Sequence, residues 1–255
     1  MAGLTVKEQL YHFVDDLEMS LSYDPGEVFD CDSILLCGVG GSAVSGDFAA
    51  DCCYAESSKF LCLMKYPELP NWVSPRTLAI VSSYSGNTAE TMNMYHQAKA
   101  RGCRVVALTS GGLLEEAAEA GGDKVIPLPK NMHPRHAIGY MIGYTLAVIR
   151  SAGGPDLSER IREFIPSLRD YRDEAALAEG SLAHELADSL VGRVPVVCSD
   201  VSMQSVAFRW KTQVNENSKF VAFCESLPEL GPFGVSSWVD TDRQDYLFIL
   251  LIGTD

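Results

Sequence analysis

Two short stretches hold residue types whose spacing could do chemistry. One is Ser82-Ser83-Tyr84-Ser85-Gly86-Asn87-Thr88-Ala89-Glu90, where the hydroxyls of Ser83, Ser85 and Thr88 surround Gly86 just ahead of a helical pattern. Hydroxyls, unpaired backbone N–H groups and the positive end of a helix dipole together suit a phosphate, with no lysine required. An ordinary helix cap at Asn87 or Thr88 needs one such residue, not a cluster. The other stretch is Gly38-Val39-Gly40-Gly41-Ser42, which follows an apolar run. Glycines there let the backbone turn sharply and approach a ligand. Position 43 is Ala43, which breaks the G-x-G-x-x-G spacing, and no acidic residue closes a second strand to hold a ribose. A dinucleotide site is therefore not expected. Alone, the glycine stretch reads as a plain strand–helix turn.

The elements around these stretches must hold them in place. Apolar residues at helical spacing (Val6, Leu10, Phe13, Val14, Leu17) predict a helix over 5–22. Strand, turn and helix then follow from "SILLCGVGGSAVSGDFAADCC". A second unit reads strand 78–82, polar loop, helix 88–101; a third reads strand 104–109, glycine turn, helix 113–120. Strand 124–128 leads through "PKNMHPRHA" into an apolar helix ending near Arg150. Strands that are continuous apolar runs alternating with helices predict α/β architecture, with parallel sheets buried on both faces. Ligands bind such sheets at the carboxyl ends of the strands, where both stretches fall. "SAGGPD" at 151–156 breaks the composition, and amphipathic helices run to about Gly192. The pattern restarts with strand 194–199, helix 203–211, strand 221–225 and strand 246–252. The expected organisation is a first domain over 1–152, a helical connector over 153–192 and a second domain over 193–255. "DYLFILLIG" has the apolarity of a buried strand with nothing after it as cover. A bare apolar edge is a liability. The second domain is therefore expected to be incomplete at its C-terminus, the natural chain continuing past Asp255.

Composition narrows the function classes. The 255 residues carry a formal charge of −14, with a pI near 4.7. A nucleic-acid binder carries the opposite sign, and the same charge argues against an anionic membrane surface. The eight cysteines include no C-x-x-C pair, so zinc is not indicated. Reduced thiols in a cytoplasm are expected, because the acidic N-terminal stretch is no signal peptide. The longest apolar run, 246–253, is too short to span a bilayer.

"GVGGSAVSGD" followed by "SSYSGNTAET" resembles a sugar isomerase (SIS) domain. With "HPR" at 133–135, "NENSK" at 215–219 and "ESLPEL" at 225–230, the chain is similar to the bifunctional phosphoglucose/phosphomannose isomerases from about residue 20 to 255. The resemblance implies two SIS-type three-layer αβα units. It implies a homodimer with active sites partly built at the subunit interface, and neither metal nor organic cofactor. It implies interconversion of glucose 6-phosphate and mannose 6-phosphate with fructose 6-phosphate. The phosphate of the hexose 6-phosphate would lie against Ser42, Ser83, Ser85 and Thr88, with Gly40 and Gly41 allowing its approach. Arg135 would lie near C1 and C2 of the sugar, and Glu216 would be the catalytic base. The chemistry fits these roles. Through a cis-enediolate, one carboxylate can take the proton from one carbon and return it to the next. A guanidinium is a permanently charged, planar donor set for the developing oxyanion.

The chain departs from the family pattern in two places. Pro232 stands where the family has a ring-opening histidine, and the chain ends at Asp255, before the family's C-terminal helix with its lysine and threonine. Hexose 6-phosphates open spontaneously, so losing such assistance, typically about 10²–10⁴-fold, slows the reaction rather than abolishing it. Two alternatives stay open: a non-catalytic phosphosugar-binding sensor or regulator, and an SIS isomerase for another phosphosugar, since a phosphate loop does not read the sugar.

Overall fold

The computed structural model describes residues 5–176, 178–230 and 245–252. The chain divides into two compact units, Met1–Leu168 and Arg169–Asp255. That division falls inside the stretch expected as a connector.

The first unit opens with α1 (Val6–Tyr11) and α2 (Phe13–Leu21) in place of the single helix expected over 5–22. Thr5 and Glu8 form a reciprocal capping box at the start of α1. The break falls at His12, whose backbone N–H bonds to both Glu8 and Leu10 carbonyls and tightens the last turn. The sheet strands are β1 (Ser33–Gly38), β2 (Phe60–Met64), β3 (Thr77–Ser82), β4 (Arg104–Thr109) and β5 (Lys124–Pro127). They pair in parallel in the order β2-β1-β3-β4-β5. The helices between and after them are α3 (Val44–Cys53), α4 (Ala89–Ala100), α5 (Gly112–Ala120), α6 (Ile138–Ser151) and α7 (Ser158–Tyr171).

Side-chain alternation along each strand builds two cores. Ile34, Leu36, Ile80, Val106, Leu108 and Ile126 point to one face, under α2, α3, α6 and the start of α7. Leu35, Cys37, Ala79, Val81, Val105 and Ala107 point to the other, under α4 and α5. Each fully buried aliphatic side chain contributes about 1.5–3 kcal/mol of transfer free energy. The unit is thus a three-layer αβα sandwich. β2 was not anticipated. It is a five-residue edge strand of exposed and half-buried residues, and so short a run carries no decisive periodicity.

In the second unit, α8 (Leu182–Leu190) precedes β6 (Val194–Ser199), α9 (Gln204–Gln213), β7 (Phe223–Ser226) and β8 (Tyr246–Leu251). The described strands form a parallel sheet in the order β7-β6-β8, with α9 packed on β6 and β7. This repeats the β2-β1-β3 arrangement. Six-residue β6 corresponds to six-residue β1, and each is followed by a three-residue 3-10 turn and a ten-residue helix. All eight cysteines are free thiols. Among the described residues no helix is long and apolar enough to cross a membrane.

Candidate functional site

The strand order of the first sheet creates a crevice. Gly38 and Ser82, the last residues of β1 and β3, are register partners. From β1 the chain leaves toward α3 on one face, and from β3 toward α4 on the other. Loops that part in this way at a topological switch point leave a cleft between them, which is where open α/β sheets bind ligands.

Both sequence stretches line that cleft. The 3-10 turn Gly40–Ser42 ends β1's loop without any side-chain cap. An added Cβ at Gly41 would meet nothing within 4 Å, and its φ lies outside the left-handed region. The Ser42 hydroxyl accepts the Tyr84 N–H at 3.0 Å, joining the two loops. Ser83 is buried, and its hydroxyl lies 3.2 Å from that of Thr88. Ser85 is exposed and accepts the Asn87 N–H at 3.2 Å. Thr88 occupies the N-cap position of α4 yet makes no side-chain capping bond. The ordinary-cap explanation of this cluster is thus not what the chain adopts. The first-turn N–H groups of α4 and its positive dipole end face the cleft uncapped by a side chain. Gly86 has φ +68°, and a Cβ there would lie 1.8 Å from the Gly111 carbonyl oxygen, so this position requires glycine on steric grounds alone.

Arg135 sits in a 3-10 turn, Pro134–His136, with Pro134 in the first-turn position that suits it. This turn packs against the Gly40–Ser42 turn. The guanidinium lies along the His133 ring, with Nε 3.1 Å from Nδ1 and Nη2 3.2 Å from Nε2. Gln9, on α1, steadies the turn. Its Oε1 accepts the His133 N–H at 3.3 Å and lies 2.6 Å from Nδ1 of the buried His136. Nearby, Asp47 in the first turn of α3 is buried and paired with Lys65 at 2.7 Å; burial raises its carboxyl above the ordinary range although the lysine opposes this.

Glu216 belongs to the second unit. The helix expected to end at Lys211 continues to Gln213 and widens into a π-helical turn, Val214–Ser218, which carries Glu216 exposed. Such turns are frequent at functional positions. Lys219, in the left-handed region at φ +53°, closes it and donates to the Glu216 carbonyl at 2.6 Å. Asn215 donates to the Phe220 carbonyl at 2.8 Å. Pro232 lies outside the described residues.

The second unit's counterpart of the glycine turn is chemically different. Asp200 accepts the N–H groups of Ser202 at 2.9 Å and Met203 at 3.2 Å. The chain's own carboxylate thus occupies the donors that an anion would use. The corresponding turn of the first unit has no side-chain cap of this kind.

Sequence reasoning missed Tyr84, Gln9 and Asn87 as supports of the site. Tyr84 stood inside the hydroxyl cluster as its one aromatic residue. Gln9 carried no signal, since its partners lie more than a hundred residues downstream. Among the described residues no group of three or more His, Cys, Asp or Glu side chains is gathered as a metal cage.

Known proteins resemble this chain at both levels. The family described as "Bacterial phospho-glucose isomerase C-terminal SIS domain" matches residues 179–255. A bifunctional phosphoglucose/phosphomannose isomerase of Thermoplasma acidophilum is 32% identical over 97% of this chain and 75% of its own. Another, of Caldicellulosiruptor bescii, is 34% identical over 79% of this chain, and the match spans 61% of that relative's length. The solved tagatose-6-phosphate ketose/aldose isomerase of Escherichia coli superposes with a TM-score of 0.70 at 20% identity, over 95% of this chain and 71% of its own, a likeness of fold.

Proposed function

Because this chain belongs to the bifunctional phosphoglucose/phosphomannose isomerase family, we propose that it is an aldose–ketose isomerase interconverting glucose 6-phosphate and mannose 6-phosphate with fructose 6-phosphate. The observation that carries this reading is the convergence of Ser42, Ser85, Thr88 and an uncapped helix start at one switch point, with the Arg135 turn packed alongside. The phosphate sits against these hydroxyls and backbone N–H groups, and Gly40 and Gly41 admit it. Ser83, buried behind Thr88, orients that hydroxyl. Anchored at C6, the open-chain sugar reaches Arg135 with its C1 and C2 oxygens. Glu216 removes the C2 proton of the aldose, the electron pair forms the C1–C2 double bond of a cis-enediolate, and the guanidinium stabilises the oxyanion charge. The proton of the C2 hydroxyl passes to the C1 oxygen, and the carboxylic acid returns its proton to C1, giving the ketose. A base of this kind contributes about 10²–10⁴-fold.

This reading needs no metal or organic cofactor, since the guanidinium supplies the charge stabilisation. Its two SIS domains are residues 1–152 and 193–255, joined by 153–192 as the helical connector. The enzyme is a cytoplasmic homodimer whose sites are completed across subunits. Eight free thiols fit a reducing compartment.

The test is NMR of fructose 6-phosphate incubated with the protein in D₂O. Deuterium at C1 or C2, with aldose 6-phosphate accumulating, is the expected result, and the product ratio reports glucose against mannose preference. Binding without any exchange refutes the isomerase and leaves a phosphosugar sensor, the reading that Pro232 favours.

A further inference from the structure

The proposed reaction requires two anchors at a fixed separation: the phosphate loop at one end of the sugar and Arg135 at the other. Tyr84 is the residue that ties them together. It lies between Ser83 and Ser85 and is itself buried. Its N–H donates to the Ser42 hydroxyl at 3.0 Å. Its carbonyl accepts the Ser110 N–H at 2.9 Å and the Ser110 hydroxyl at 2.7 Å. Its phenol reaches in another direction, donating to the Pro129 carbonyl at 2.7 Å and accepting the Met132 N–H at 2.9 Å. The ring packs in a small core with Leu128, Met132, Ala137, Tyr140 and Met141.

The phenol contacts matter because of what the 128–133 segment lacks. It runs between β5 and the Arg135 turn with no strand or helix ladder of its own. Its backbone groups need partners, and one side-chain oxygen supplies two of them. Met132 is buried, so water does not readily replace a lost bond there. Arg135 follows three residues later in the chain.

Resting on the function proposed above, we infer that Tyr84 is a positioning residue for Arg135, setting the guanidinium at the correct distance from the phosphate loop. Its hydroxyl touches no reacting atom. It acts through the 129–132 segment. A misplacement near 1 Å in such a constellation can cost about a hundredfold.

Tyr84→Phe in the full chain isolates the hydroxyl, since it keeps the ring and its packing. Calorimetry with two ligands separates the anchors. Inorganic phosphate engages the phosphate loop alone. 6-Phosphogluconate also presents a C1 carboxylate near the position of the enediolate charge, within reach of Arg135. Tyr84→Phe is expected to hold phosphate affinity within about twofold and to lower 6-phosphogluconate affinity by about tenfold or more, the scale of a misaligned charge-assisted hydrogen bond. Arg135→Gln lowers it similarly, and the double variant falls little further, because the tyrosine acts through the arginine. Unchanged 6-phosphogluconate affinity in Tyr84→Phe, equal loss for both ligands, or full additivity with Arg135→Gln each overturns the inference. A wild-type chain that binds neither ligand overturns the functional reading, and this inference with it. Normal wild-type binding with an indifferent Tyr84→Phe overturns this inference alone.

Discussion

Gly41→Ala separates a glycine kept for a ligand from one kept for the fold. The added methyl meets no atom within 4 Å, and the backbone there is accessible to any L residue. Removing a glycine at an unstrained position stabilises a protein by about 0.4–1 kcal/mol through the unfolded chain. For a chain of this size that is a rise of about 1–4 °C in Tm. The same methyl narrows the space in which the proposed phosphate meets the Gly40–Ser42 turn. Hydrogen bonds to a charged group are worth about 1.5–3 kcal/mol, so losing one weakens binding by about ten- to a hundredfold. Thermal melts and calorimetry with fructose 6-phosphate should therefore move in opposite directions: stability unchanged or higher, affinity lower. Gly86→Ala is the contrast. Its left-handed backbone costs about 1–2 kcal/mol, and overpacking against the Gly111 carbonyl costs about 1–3 kcal/mol more. There the loss of stability leads and binding fails as a consequence. Undiminished affinity in Gly41→Ala, or a joint fall of stability and affinity, would refute the argument that this turn is open for a phosphate.

Three further outcomes follow from the site and its surroundings. Ser85→Ala and Thr88→Ala should each weaken fructose 6-phosphate binding by about tenfold, the lower end for a bond to a charged group; calorimetry showing both unchanged removes the phosphate-loop assignment. Glu216→Gln should bind fructose 6-phosphate normally while deuterium exchange falls by about 10²–10⁴-fold, and full exchange in that variant means that another base acts. Burial raises the Asp16 carboxyl above its ordinary range, the Tyr140 hydroxyl bond opposing it. A raised folded-state pKa favours the protonated form, so this group's contribution to stability is present below the unfolded value and is lost as pH rises through the folded one. Asp16→Asn should accordingly be more stable than the natural chain at pH 7 and indistinguishable from it well below pH 4. Urea melts that show the asparagine variant weaker at pH 7 contradict this.

Local pattern was legible without the structure. The hydroxyls of Ser85 and Thr88 on either side of Gly86 suggest an anion loop because they and the following helix lie within a few residues of one another. Apolar runs such as "SILLCG" and "TLAIVS" announce buried parallel strands because both faces of each must be covered. The family motifs supplied Arg135 and Glu216, which spacing alone left as an exposed arginine and an acid at a helix end. Tertiary structure decided what depends on distant partners. β2, a short and half-exposed edge strand, carries little pattern, yet its place beyond β1 produces the switch point between β1 and β3 and so the cleft. The Thr88 hydroxyl turned out to pair with Ser83 instead of capping its helix. The phenol of Tyr84 accepts the N–H of Met132, 48 positions away, and the amide oxygen of Gln9 meets the ring of His136, 127 positions away. No local periodicity encodes such bonds. They exist only once the sheet has brought the loops at its carboxyl edge together, and burial then makes each unpaired polar group too costly to leave alone.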